Sequence, residues 1–233
     1  MMKKLALVAV AVMASAGVQA ADIEGYVSYD NNHTGEGRTS LDGAGITWAG
    51  VAAGFENGVA VAVDYGYSDE KADYDELAIT VEYGFNAGDF AMAAAYTRLE
   101  MFEDNEDDNE FAFGVAYEGC DLLVPSLDAV YSTEAEGSFV ELGLTAPYQI
   151  NEQLALEAFV VAGFDFGYAT EDNDGYNHTS VGAAASYAIN DNLAFNLGYA
   201  YHIAGSDIDK EMEAEGLSAD NESVVTVGLS FAL

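Results

Sequence analysis

LALEAFVVAGFDFGY, residues 154–168, places an apolar side chain at every second position: Leu154, Leu156, Ala158, Val160, Ala162, Phe164, Phe166 and Tyr168. A period of two is the mark of a strand with one apolar face. The same period recurs through most of the chain. Val59, Val61, Val63, Tyr65 and Tyr67 form one row, and Leu77, Ile79, Val81, Tyr83 and Phe85 the next. Leu193, Phe195, Leu197, Tyr199, Tyr201 and Ile203 form another, and the chain ends on Val225, Val227, Leu229, Phe231 and Leu233. Extending this reading predicts twelve strands, at about 22–30, 44–55, 58–68, 76–86, 89–99, 110–118, 122–132, 138–149, 153–168, 178–189, 193–204 and 223–233. Most approach the roughly 9 to 11 residues that a tilted strand needs to cross a bilayer. Gly50 interrupts the phase of the second strand as a bulge would. Pro125 makes the seventh strand the least regular.

The connections carry a second signal. Glu56-Asn57-Gly58, Asn86-Ala87-Gly88-Asp89, Glu118-Gly119-Cys120-Asp121, Asn151-Glu152 and Asn190-Asp191-Asn192 are short and rich in turn formers. The alternate connections, near 31–43, 69–75, 100–109, 133–137, 169–177 and 205–222, are mostly longer and acidic. Short periplasmic turns alternating with long outer loops predict an all-β fold. It is a single transmembrane, antiparallel, up-and-down β-barrel of about twelve strands, with ten or fourteen left open. Ser206 to Glu215 has the pattern of a short capped helix.

Composition excludes the competing classes. The 233 residues include 41 Asp and Glu against 6 Lys and Arg, a formal net charge of −35. Such a chain does not replace the counterions of nucleic acid. Hydrophobic residues make up 51%, which argues against disorder. Cys120 is the only cysteine, so no disulfide framework forms. Past the N-terminus no apolar run approaches the roughly 18 to 20 residues of a membrane helix. Residues 1–20 have the three parts of a secretory signal: Lys3 and Lys4, an apolar core from Leu5 to Met13, and Val18-Gln19-Ala20 before an expected cleavage. The barrel domain is then 21–233. Loss of Lys3 and Lys4 moves its charge from −35 to −37.

The second face of each strand points to a membrane. Ser180, Gly182, Ala184 and Ser186, or Ala194, Asn196, Gly198, Ala200 and His202, are small or mildly polar. A soluble sheet carries Lys, Glu and Arg there, whereas small side chains suit a confined lumen. Tyr65, Tyr67, Tyr131, Phe166, Tyr168, Tyr199 and Tyr201 end upward strands. Tyr83, Phe85, Tyr117, Tyr148, Tyr187 and Phe231 end downward ones. Two aromatic girdles are expected.

The signal, the alternating strands and the final VTVGLSFAL resemble small outer-membrane β-barrel proteins of Gram-negative bacteria, of the porin-like kind. The resemblance spans residues 21–233 and is one of pattern. It implies an outer-membrane location after export through the periplasm and contact with outer-membrane lipid. It also implies recognition of the C-terminal strand by the barrel assembly machinery. Members typically end on an aromatic residue; this chain ends on Leu233, with Phe231 two before it. Oligomeric state is not legible.

Seven acids fall on the lumen parity: Glu24, Asp64, Glu82, Asp128, Glu141, Glu157 and Asp165. None falls on the lipid face, where charge is costly. Arg98 alone has lipid parity, near a strand end where it can snorkel. The lumen acids meet no Lys or Arg row, so the expected function is a passage that favours cations or cationic small solutes. The alternatives are a non-conducting structural or adhesive barrel acting through its acidic loops, and a barrel-embedded hydrolase. His202, close in sequence to Ser206 and Asp207, is the hydrolase candidate; no G-x-S-x-G motif is present, and no enzyme is expected. Glu103, Asp104, Glu106, Asp107 and Asp108 form an acidic run that carboxylate chemistry allows as a cation-binding loop. Asp172-Asn173-Asp174-Gly175 is a poor match to a calcium loop, with Thr170 and Val181 where acids belong. No cofactor and no metal site are expected.

Overall fold

The structure is a computed structural model that describes residues 22–232 except 42, 69–73, 103–104, 171–173 and 215–219. The expected signal segment lies outside the described residues.

The strands follow the period-two rows. In chain order they are β1 (Asp22–Asp30), β2 (Thr34–Gly35), β3 (Arg38–Thr39), β4 (Ile46–Gly54), β5 (Val59–Ser68), β6 (Tyr74–Ala87), β7 (Phe90–Met101), β8 (Glu106–Tyr117), β9 (Val124–Ser132), β10 (Gly137–Gln149), β11 (Leu154–Phe166), β12 (Asp174–Asn190), β13 (Leu193–Ala204) and β14 (Glu222–Ala232). Twelve of them, all but β2 and β3, close into one antiparallel barrel in which each pairs with its sequence neighbours. The first and last strands complete the ring, with Glu24 opposite Ala232 and Asp30 opposite Thr226. Closure removes every open edge, the condition for spanning hydrocarbon with strands.

Side-chain parity sets the two surfaces. Val27, Val63, Val81, Leu142, Val160, Leu197, Val227 and Leu229 point outward and are exposed, as a lipid-facing belt requires. Tyr65, Tyr67, Tyr131, Phe166 and Tyr199 are exposed toward one end, and Tyr83, Phe85, Tyr148, Tyr187 and Phe231 toward the other. Tyr168 is the exception to the expected girdle. β11 stops at Phe166, Gly167 adopts φ +75°, and the chain turns inward, leaving Tyr168 only 2% exposed.

The predicted bulge at Gly50 is absent. β4 keeps an unbroken register, with Gly50 opposite Tyr26 and Asp64. A Cβ at Gly50 would overlap the Tyr26 ring and Asp64, so the glycine makes room for that pair. Irregularities occur instead between Gly163 and Phe164 and between Ala188 and Asn190. Pro125 is tolerated because β9 pairs with β8 only from Ser126 onward on that side.

The outer strands run further than their apolar rows. The connection expected at 100–109 shrinks, because Glu106 to Glu110 pair in register with Thr97 to Met101. β6 and β12 likewise start earlier, at Tyr74 and Asp174. The outer end is shaped by three segments: the chain at 31–41 and 43–45, the turn after β11, and helix α1 (Ser206–Ala214), which forms where the capped helix is expected.

Candidate functional site

The inner wall divides into a filled outer half and a periplasmic vestibule. The filling starts with residues 31–41 and 43–45. This stretch does not arch into solvent; Asn32, His33, Glu36 and Leu41 are buried. It is tied to itself by His33 N–H to Ala44 O (2.9 Å) and Ser40 N–H to His33 O (3.0 Å). Asn32 also donates to Glu222 on β14 (3.1 Å). β2 and β3 form a hairpin whose two central residues, Glu36 and Gly37, have φ +49° and +79°. A two-residue hairpin turn needs such angles, and glycine supplies one without strain.

The hairpin tip lies against β12. Arg38 pairs with Glu211 of α1. The Asn177 amide, oriented to satisfy both its groups, donates to the Glu36 carbonyl (2.6 Å) and accepts from Arg38 (2.9 Å). α1 is held in turn by its buried Asp207, which accepts from Thr170 Oγ1 (3.2 Å). Burial pushes the Glu36 carboxyl well above the usual carboxylate range; Arg38 opposes, while Glu110, Glu141 and Asp165 press the same way as burial. Asp207 is raised as well, first by burial and then by Asp165, with Thr170, Asn177 and Arg38 opposing. Two apolar clusters complete the filling: Leu41, Ala44, Ile46, Tyr74 and Met101 against Trp48, and Phe139 with Tyr168.

The seven lumen acids have different fates. Asp165 is fully buried and committed to a turn: it accepts from the N–H groups of Tyr168 (2.8 Å), Ala169 (3.1 Å) and Thr170 (2.8 Å). Asp64 accepts from Tyr26 Oη (2.8 Å). Asp128 and Glu141 stand directly opposite on β9 and β10. Glu24, Asp64 and Glu82 line a cavity of about 660 Å³ at the periplasmic end, and Glu157 lines a second of about 670 Å³ against β12 and β13.

Three further acids face inward: Glu76, Asp108 and Glu110, at most 4% exposed. In the sequence Glu76 and Glu110 only open their expected strands, and Asp108 falls in the connection expected at 100–109. The available signal was parity, since Glu76 is in phase with Ala78 and Glu82, and Glu110 with Ala112 and Gly114. Tyr168 Oη donates to Glu110 (2.5 Å).

The acidic run at 103–108 is not gathered into one site. Glu103 and Asp104 lie outside the described residues. Asp108 points inward and accepts from Ser132 Oγ (2.5 Å), Thr133 Oγ1 (3.1 Å) and Glu134 N–H (2.9 Å), organising the β9–β10 turn. Asp107 points outward and pairs with Arg98 (2.7 Å), which also bonds Glu100 (2.7 Å). Glu106 opens β8 opposite Met101. Among the described residues no group of three or more His, Cys, Asp or Glu side chains is arranged to hold a metal. His202 meets Ser180 Oγ (2.6 Å) rather than Ser206 or Asp207.

No family model and no curated protein matches the sequence. Solved structures do match. The KdgM porin, solved alone and in complex with disordered oligogalacturonate, aligns with TM-scores of 0.61 and 0.60 at 8% identity, over 91% of this chain and 99% of that one. The NanC porin aligns at 0.58 and 14% identity, over 92% and 100%. An outer membrane channel from Pseudomonas putida F1 aligns at 0.53 and 10% identity, over 93% and 97%. With its closed ring of twelve strands and its apolar outer belt, the chain has the fold of the outer-membrane porins.

Proposed function

We propose that the barrel is a passive diffusion channel of the outer membrane that favours cations or cationic small solutes. The observation that carries this reading is the sign of the inner wall. Glu24, Asp64, Glu76, Glu82, Asp128, Glu141 and Glu157 face inward. Among the described residues Arg38 is the only Lys or Arg inside the barrel, and Glu211 pairs with it. Carboxylates in a confined, low-dielectric bore raise the local cation concentration and repel anions. The test is the reversal potential of the folded protein in a planar bilayer under a salt gradient. Cation preference supports the proposal; anion preference overturns it.

The buried hairpin and α1 at the outer mouth favour a second reading, a non-conducting barrel that acts through its acidic outer surface. Folded protein that gives no conductance, together with loss of surface binding when the outer loops are shortened, would select that reading.

A further inference from the structure

The periplasmic cavity of about 660 Å³ combines features that a simple negative bore does not require. Its carboxylates are spaced along the wall. On β6, Glu76 and Glu82 stand six positions apart, and Asp64 on β5 stands opposite Ala78, four positions from Glu82. At roughly 3.3 Å per residue the Asp64 row lies about 13 Å from Glu82. The wall between carries Ala62 and Thr80, flanked by Ala60 and Ala78, and the Thr80 hydroxyl is engaged by Thr97 (2.9 Å). Tyr26 and Trp48 add aromatic faces toward the inner end.

Glu76 is an independent sign of a ligand. It is 1% exposed and lines the cavity, its Oε2 accepts from Tyr74 Oη (2.5 Å), and its Oε1 has no hydrogen-bond partner. A buried carboxylate oxygen without a donor is costly, and an ammonium group, with three N–H donors, supplies what is missing. A single metal ion does not suit the arrangement, because carboxylates this far apart do not converge on one centre and no metal-holding group is present among the described residues.

We infer that this cavity binds a linear aliphatic polyamine, its terminal ammonium groups at the Asp64–Glu76 and Glu82 ends and its methylene chain along the wall between them. Methylenes gain from the alanines, ammonium groups pair with the carboxylates, and the Tyr26 and Trp48 rings accept a cation on their faces. This deepens the cation-channel reading and rests on it.

Trp48 is the only tryptophan of the chain and lines the cavity, so its emission reports occupancy directly. The experiment titrates the folded full-length barrel in detergent with spermidine. A saturable change in Trp48 emission is expected. Asp64→Asn combined with Glu82→Gln should raise the half-saturating concentration at least tenfold. Glu82→Gln alone, which leaves the Tyr26–Asp64 bond in place, should raise it by a smaller factor. Magnesium chloride at matched ionic strength should not reproduce the change. No saturable response, an equal response to magnesium, or unshifted variants would overturn the inference. A cation-selective barrel without a spermidine response overturns the polyamine site alone. An anion-preferring barrel overturns the channel reading, while the emission titration still decides the site.

Discussion

Gly37, at the tip of the inward hairpin, packs directly on the ring of His178 on β12, and a Cβ at Gly37 would overlap that ring. The hairpin is therefore seated by a glycine that serves twice, once through its positive φ and once by its missing side chain. Gly37→Val should unseat it, since a β-branched residue at that angle adds strain on the order of 1–3 kcal/mol before the steric overlap is counted. Trypsin reads the outcome, because Arg38 is the hairpin's cleavage site. Cleavage after Arg38 should accelerate at least tenfold while the barrel stays folded. Unchanged cleavage would mean that the hairpin is held by other contacts.

Seating should also depend on pH. Glu36 is surrounded by Arg38, Glu110, Glu141 and Asp165, and its carboxyl is raised well above the usual range, chiefly by burial. A carboxyl raised in the folded state stabilises that state fully below its unfolded value, about 4.3, and the contribution is lost as pH rises through the folded value. The hairpin is then firmest in acid and loosens toward alkaline pH. Asp207, also raised, acts in the same direction. Hydrogen exchange of residues 33–40 should speed up between about pH 5 and 9 beyond the intrinsic base dependence. Glu36→Gln should flatten that excess without abolishing it. An excess of equal size in the variant would remove Glu36 from the explanation.

Asp128 and Glu141 are direct cross-strand partners on the lumen face. Like charges so placed repel, by roughly 0.2–1 kcal/mol. Asp128→Asn should raise the urea midpoint of the folded barrel at neutral pH and reduce its cation preference. A lower midpoint would show that the native pair is bridged by a cation or a shared proton.

The secretory signal expected at residues 1–20 predicts a processed N-terminus. Mass spectrometry of protein recovered from outer membranes should show a chain that begins at Ala21. A mass that retains Met1 would exclude cleavage.

Much of the wall was legible from parity. The alternation at Leu154–Phe166 or Leu193–Ile203 is local, and it assigns both strand and face without knowledge of any neighbour. Parity puts Glu24, Asp64, Glu82 and Glu157 on the lumen face, and these residues line the two cavities. It failed where polar residues continue a strand beyond the apolar row. Glu106 to Glu110 resemble a solvated loop by composition, yet their pairing with β7 sends Asp108 and Glu110 inward. Tyr168 kept the apolar parity of β11 and still left the strand, because Gly167 turned the backbone.

The sequence alone determined that this chain is a barrel and which surface meets lipid, because a period of two with an apolar outer row has one closed solution in a bilayer. It also determined that the wall is acidic. What occupies the interior was decided by tertiary structure alone. Whether the hairpin at 34–39 arches outward or folds in depends on Asn177, His178 and Glu211, more than 130 positions away. Register brought Asp128 onto Glu141 and ranged Asp64 and Glu82 along one wall. The contacts of the inward hairpin with β12 and α1 carry no period, and only the folded ring brings them together.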